Sequence, residues 1–357
     1  MHKFYLRFVA VALSIFCFAA SPCVTAGYGK ASVTEVTDYR KAMRSFVMNI
    51  AGYARGFDKD FIVIPQNAQE VAWNADGETD EYGIPLTSPD AAYFSVINGT
   101  GREDTFFGYP KAGSVTKPEI CTYFTRLCDA YLKSGLCVLS IDYTKSKANI
   151  KKSYSENSSK SYIGFAAPNR MLDIIPENSG YDSHYYPYMK NSADVKKLSD
   201  AKNFLYVIGM KSKNTDGSDL VAELAKTDYD LIIMDAFVNG TEVTFGKDRI
   251  ESLKKKACGG DRLVIAYMSI GEAEDYRWYW AESWTKKNKA LPSAPEWLCG
   301  ENPEWRGNYK VRYWDEEWQK IIFGTDNSYT KKIIDAGFDG VYLDIIDAYE
   351  YFEEKTD

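Results

Sequence analysis

Gly337-Phe338-Asp339-Gly340-Val341-Tyr342-Leu343-Asp344-Ile345-Ile346-Asp347 reads as a buried strand that delivers a carboxylate at its end. Val341, Leu343 and Ile345 alternate with Tyr342 and Asp344, so one strand face is apolar and the other carries an aromatic ring and an acid. Little chain follows this strand, so its sheet partners are expected upstream.

Seven further runs of the buried type lie there, at residues 61–64, 92–97, 137–143, 162–166, 204–208, 231–235 and 263–270; with 340–346 they make eight. Helical stretches separate several of them. Thr37 can cap a helix that places Phe46, Val47, Ile50 and Tyr53 on one face. Residues 117–133 carry Ile120, Phe124, Leu127, Cys128 and Tyr131 as a stripe and stop at Gly135, while 220–225, 247–257 and 328–336 read similarly. Strand and helix in alternation imply an α/β fold with a parallel sheet, and eight such units predict a closed (β/α)8 TIM barrel. A doubly wound open sheet is the second reading, but no Gly-x-Gly-x-x-Gly follows the first strand to favour its nucleotide-binding form.

The N-terminal residues stand apart. His2, Lys3 and Arg7 precede an apolar run at 8–20, and Val24-Thr25-Ala26 offers small residues for a signal peptidase. Residues 1–26 are therefore expected to be a cleaved signal peptide and 27–357 a single barrel domain. The apolar run is short for a membrane span, and Pro22 disfavours a lipoprotein site at Cys23. The expected location is secreted or periplasmic, with no membrane span in the mature chain.

Of 43 basic residues, Lys3 and Arg7 leave with the leader, so 41 face 50 acids and the mature charge is about −9. This balance excludes the basic surface of a nucleic-acid binder. Cys121, Cys128, Cys137, Cys258 and Cys299 remain, an odd and irregular set that is no disulfide framework, although a Cys258–Cys299 bridge is open. His184 is the one histidine left, so neither a metal centre nor a Ser-His-Asp triad is expected, and no cofactor.

Two stretches interrupt the alternation. Residues 170–201 are long and polar, and 276–318 hold seven of the eight tryptophans. Loops at strand C-termini are where a barrel binds substrate. Acids cluster at those same ends: Asp235, Glu272 and Glu274, Asp344 and Asp347, Glu103 and Asp104, and Asp142, with Gln66 and Asn67 after the first strand. Any one of them could be a cap or a loop ion pair. As a set, with no metal-type histidines, they point to glycoside hydrolysis, in which one acid protonates the leaving oxygen and another attacks or activates water. Trp and Tyr in the long loop suit stacking on sugar rings, although Trp305, Tyr313, Trp314 and Trp318 read more as loop anchors.

These motifs resemble the TIM-barrel proteins related to glycoside hydrolase family 114, the endo-α-1,4-polygalactosaminidase-like group. The resembling strings are Ala266-Tyr267-Met268-Ser269-Ile270-Gly271-Glu272-Ala273-Glu274-Asp275-Tyr276-Arg277, Asn302-Pro303-Glu304-Trp305 with Tyr313-Trp314-Asp315, Gly337 to Asp347, Val63-Ile64-Pro65-Gln66-Asn67, and Gly101-Arg102-Glu103-Asp104. Their order departs from the family, in which the segment resembling 206–347 precedes that resembling 42–170. The resemblance therefore implies a circular permutation with its seam near 170–202 and Asp357 close to the helix that starts around Thr37. It also implies Asp344 and Glu103 as the catalytic acids, with Asp104 as competitor to the second. Asp235, Glu272, Gln66, Asn67, Asp142, Asp347 and Tyr267 are expected to bind a polysaccharide or oligosaccharide, with an amino-sugar polymer as the family-based guess. A non-catalytic carbohydrate-binding barrel is the competing class.

Overall fold

The computed structural model describes residues 38–176 and 187–356. The expected leader, His184, Thr37 and Asp357 lie outside the described residues. Eight parallel strands carry the fold: β1 (Ile62–Pro65), β2 (Gly99–Glu103), β3 (Cys137–Tyr143), β4 (Ile163–Ala167), β5 (Leu205–Val207), β6 (Leu231–Asp235), β7 (Leu263–Ser269) and β8 (Gly340–Asp344). They form a five-stranded sheet in the order β1-β8-β7-β6-β5 and a three-stranded sheet in the order β2-β3-β4. A parallel bridge between Gln66 and Gly101 joins the two. First and last strands thus pair, with Val63 opposite Val341 and Pro65 opposite Leu343. At the other edges, Phe165 of β4 and Phe204 before β5 bring their rings to 5.4 Å.

Helices cover the sheets: α1 (Tyr39–Arg55), α2 (Ala91–Val96), α3 (Pro118–Lys133), α4 (Lys147–Ser159), α5 (Ser218–Leu224), α6 (Lys247–Leu253), α7 (Glu316–Ile322), α8 (Tyr329–Asp335) and α9 (Ala348–Thr356). The expected stripes are largely the buried ones: Phe46, Val47 and Ile50 on α1 are buried, with Tyr53 only half-buried and Met43 joining them, and Ile120, Phe124, Leu127, Cys128 and Tyr131 are buried on α3. Each large apolar side chain so buried contributes about 1.5–3 kcal/mol, which outweighs the modest helix propensities of Val, Ile and Phe. Asp38, not Thr37, caps α1 by accepting from the Lys41 amide at 2.8 Å. Helix α9 packs on α1, where Arg40 forms a bidentate pair with Glu353 at 3.1 and 3.2 Å.

The expected strand at 92–97 is helix α2. Asp90 accepts from the Tyr93 amide at 2.9 Å and starts a helical turn at two alanines. The strand itself is Gly99-Thr100-Gly101-Arg102-Glu103, in which two glycines are demanded by close approach. A Cβ at Gly99 would lie 2.6 Å from the Cys137 carbonyl oxygen, and one at Gly101 would lie 1.8 Å from the Tyr342 hydroxyl. Helix α4 had no apolar stripe to announce it; it buries Ser153, Tyr154 and Asn157.

The tryptophan-rich stretch builds a small antiparallel sheet from Glu272–Glu274, Asn308–Val311 and Leu298–Glu301. Its rings pack on one another: Trp280 on Tyr309 at 4.8 Å, Trp284 on Trp297 at 5.4 Å, and Trp297 on Trp318 at 4.9 Å. Trp318 and Tyr313 are fully buried anchors as expected, but Trp305, grouped with them, is 46% exposed. None of the five cysteines is in a disulfide, which rules out the Cys258–Cys299 bridge here. No helix among the described residues is long and apolar enough to cross a membrane.

Candidate active site

The C-terminal ends of β8 and β2 bring Asp344 and Glu103 together. Gln66, one residue past β1, donates its Nε2 to Asp344 Oδ1 at 2.9 Å and to Glu103 Oε2 at 3.2 Å. The facing oxygens are therefore no further apart than these two bonds laid end to end. The Gln66 amide nitrogen is the donor in both bonds. Gln66 is 3% exposed.

Each acid has its own further donors. Asp344 accepts at Oδ2 from the Tyr267 hydroxyl at 2.7 Å and at Oδ1 from the Ile345 amide at 2.8 Å. Glu103 accepts at Oε2 from Asn67 Nδ2 at 2.8 Å and at Oε1 from the Tyr143 hydroxyl. Asn67 turns back through its Oδ1 to accept from the Glu103 amide at 3.0 Å. Beneath the pair, Tyr342 and Tyr206 close the interior with rings 5.2 Å apart.

Burial first, and the charge of Glu103 second, push Asp344 up to about 8, against the pull of Tyr267 and the Ile345 amide. Two carboxylates this close cannot both ionise freely. The strand stops at Asp344 because Ile345 takes φ 61°, a left-handed conformation rare for a β-branched residue. Gly271 makes room for that turn, since a Cβ there would meet the Ile345 carbonyl oxygen at 2.2 Å. Strain of this kind persists where surrounding contacts over-determine it, here beside the Asp344 carboxyl.

Asp104 does not compete for the pair. Its φ is 60°, and both its oxygens accept from Arg170 Nη2 at 2.8 Å. Burial first, then Glu103, raises it to about 6, against the opposing Arg170.

Two residues expected to touch sugar are instead framework. Asp142 is fully buried, accepting from the Phe106 and Phe107 amides at 2.8 and 3.0 Å and from the Ser153 hydroxyl at 2.6 Å. It fixes the loop that follows Glu103. Glu272 is also fully buried and holds the small antiparallel sheet through Asn302 at 2.8 Å, Asn308 at 3.3 Å and Lys310 at 2.7 Å. Neither offers surface to a ligand.

Asp235 is half-buried and paired with Arg277 at 2.9 Å, which also holds Glu274 at 2.6 Å. Its position opposite Tyr267 in the β6–β7 ladder puts it beside the pair's own donor. Asp347 is exposed two residues beyond the strained turn. Tyr276, not singled out in sequence as a ligand, is 51% exposed over Gly240. Tyr143 and Arg170 were missed entirely, because a tyrosine ending a buried strand reads as core and an arginine opening a polar stretch reads as solvated.

The model of glycoside-hydrolase family GH114 matches residues 187–357, which contain β5 to β8 and Asp344. An uncharacterized protein of Methanocaldococcus jannaschii is 42% identical over 167 residues, 46% of this chain and 42% of the relative. Uncharacterized proteins of Thermotoga maritima and Deinococcus radiodurans are 40% identical over 133 residues and 42% identical over 100 residues. The Thermotoga match covers 37% of each chain, and the Deinococcus match covers 28% of this chain and 29% of the relative. The matched segment thus spans less than half of each of these relatives.

Proposed function

We propose that this chain, related to glycoside-hydrolase family GH114 over residues 187–357, is an exported glycoside hydrolase acting on an amino-sugar-containing or related polysaccharide. The observation that carries the reading is the single amide of Gln66 shared by Asp344 and Glu103. A shared donor suits a retaining pair, whose carboxyls stand about 5–5.5 Å apart, and the anomeric configuration of the product separates this from an inverting pair at roughly 6.5–9.5 Å. Burial and the neighbouring Glu103, which push Asp344 up to about 8, favour a protonated carboxyl in the free pair at neutral pH. A protonated carboxyl donates to the leaving glycosidic oxygen while its partner attacks the anomeric carbon. Water then releases the sugar with the proton transfers reversed.

The same reading takes the eight strands as a closed barrel, with β4 beside β5, and the chain as a circular permutant of its family. In support, the family match stops at residue 187 although the strands upstream supply Glu103, Gln66 and Asn67. The packing of α9 on α1 through Arg40 and Glu353 suits a permutant whose ends fall within one crossover. An acidic chain also suits a cationic amino sugar.

Incubation with defined oligosaccharides, amino sugars among them, followed by mass spectrometry tests the activity. Shortened products that vanish in Asp344→Asn support it. Binding by calorimetry without any cleavage would instead identify a carbohydrate-binding barrel.

A further inference from the structure

Arg170 follows β4 and lies outside the family-matched residues, yet its guanidinium reaches the loop that carries Glu103. Nη2 donates to both carboxylate oxygens of Asp104 at 2.8 Å and to the Gly108 carbonyl at 3.0 Å. Its Cζ also sits 4.4 Å above the Tyr143 ring. Tyr143 in turn gives its hydroxyl to Glu103 Oε1.

Asp142 holds the middle of this loop through the Phe106 and Phe107 amides, while Arg170 holds Asp104 and Gly108 on either side. Asp104 is left-handed, and Gly108 takes φ 136° where a Cβ would stand 1.8 Å from Asp104 Oδ1. A buried acid at this turn calls for a cation beside it. Arg170 supplies it with one face of its planar group against an aromatic ring, a geometry that lysine cannot reproduce.

We propose that Arg170 is a positioning residue for Glu103, acting through the Asp104–Gly108 loop on one side and the Tyr143 hydroxyl on the other. This rests on the reading of Glu103 as one of the reacting carboxylates. A misplacement of about 1 Å at such a group costs rate by about 100-fold while leaving ground-state binding nearly untouched.

The test uses the full chain and an α-1,4-linked galactosamine oligosaccharide, with cleavage followed by mass spectrometry and melting followed in parallel. Arg170→Ala is expected to lose kcat about 100-fold with KM changed less than about threefold. The guanidinium side chain is partly solvent-exposed, so added guanidinium ion at millimolar concentration should enter the gap and restore much of the lost kcat. Tyr143→Phe should lose kcat comparably and not respond to guanidinium. If Arg170→Ala does not fold, Arg170→Lys takes its place, and a folded Lys variant with reduced kcat supports the proposal. A folded Arg170 variant with wild-type kcat, or an Ala loss that guanidinium leaves unchanged, overturns it while the carboxylate pair stands. A wild-type protein that cleaves none of the oligosaccharides defeats the pair reading and this inference with it.

Discussion

Asp344 and Glu103 share one donor, Gln66 Nε2, at 2.9 and 3.2 Å. They stand 241 positions apart in sequence, on strands separated in the ladder by β1 alone. The shared amide draws both carboxyls to one nitrogen, where their mutual repulsion favours a proton on one of them.

Removing either acid follows directly. Asp344→Asn and Glu103→Gln are each expected to lower kcat by about 10²–10⁴-fold or more, the range supplied by acid–base groups. Asp344→Asn should also be more stable than the parent. Native Asp344 keeps its proton up to about pH 8, whereas an unfolded aspartate loses it near ~3.9. Between these values the native state binds more protons, so parental stability falls as pH rises. The variant should therefore melt at least about 2–4 °C higher at pH 8, with the gain shrinking toward pH 4. Calorimetric melts across that range check the sign.

The pH–rate profile should report the same proton. With Asp344 at about 8, kcat/KM is expected to fall above pH 8, by about tenfold per unit once the proton is lost. The value belongs to the coupled pair and not to one carboxyl. A profile that stays flat to pH 10 would show that catalysis does not use this proton.

Tyr267→Phe deletes the donor to Asp344 Oδ2. That hydrogen bond favours the ionised carboxyl, so its loss should raise the pair's upper apparent pKa. A charge-assisted bond of about 1.5–3 kcal/mol corresponds to about one to two pH units. The basic limb of kcat/KM should move up by that amount, and a downward move would contradict the assigned hydrogen bond.

The joining segment between β4 and β5 is anchored by a buried ion pair. Lys256 Nζ donates to Asp230 Oδ1 at 2.8 Å, to the Ala193 carbonyl at 2.6 Å and to the Asn191 carbonyl at 3.1 Å, with both charged side chains fully buried. Lys256→Met leaves Asp230 without its cation and is expected to cost about 3–5 kcal/mol. Adding Asp230→Asn should return part of this, as urea titration of the single and double variants would measure.

The strands that were legible in sequence are those whose apolar runs are also their burial: 231–235 and 137–143 appear with the expected bounds. Strand β2 was not legible, because Gly99 and Gly101 have no β propensity and are there for space that only the folded neighbours define. Glu103 was found all the same, as an acid in a short motif, and the structure makes it the last residue of a strand. Asp142 and Glu272 look like Asp344 in sequence, each an acid at or just past a strand end. What separates them is the donors waiting in three dimensions, backbone amides for Asp142 and asparagines and a lysine for Glu272. Residue type announces a carboxylate; only its surroundings decide whether it reacts or holds a loop.

Gly101 makes that dependence testable. A Cβ there would meet Tyr342 Oη at 1.8 Å and Cζ at 2.5 Å. Tyr342 is fully buried against Tyr206, so the ring has nowhere to retreat without disturbing the floor under both acids. Gly101→Ala is expected to cost about 1–3 kcal/mol by overpacking and to lower kcat with it. Adding Tyr342→Phe removes only the hydroxyl and leaves the Cζ clash, so it should rescue little. Adding Tyr342→Leu removes the ring and should recover stability more than activity. If Phe rescues as well as Leu, the contact that demands glycine is the hydroxyl alone, and the ring is free to shift.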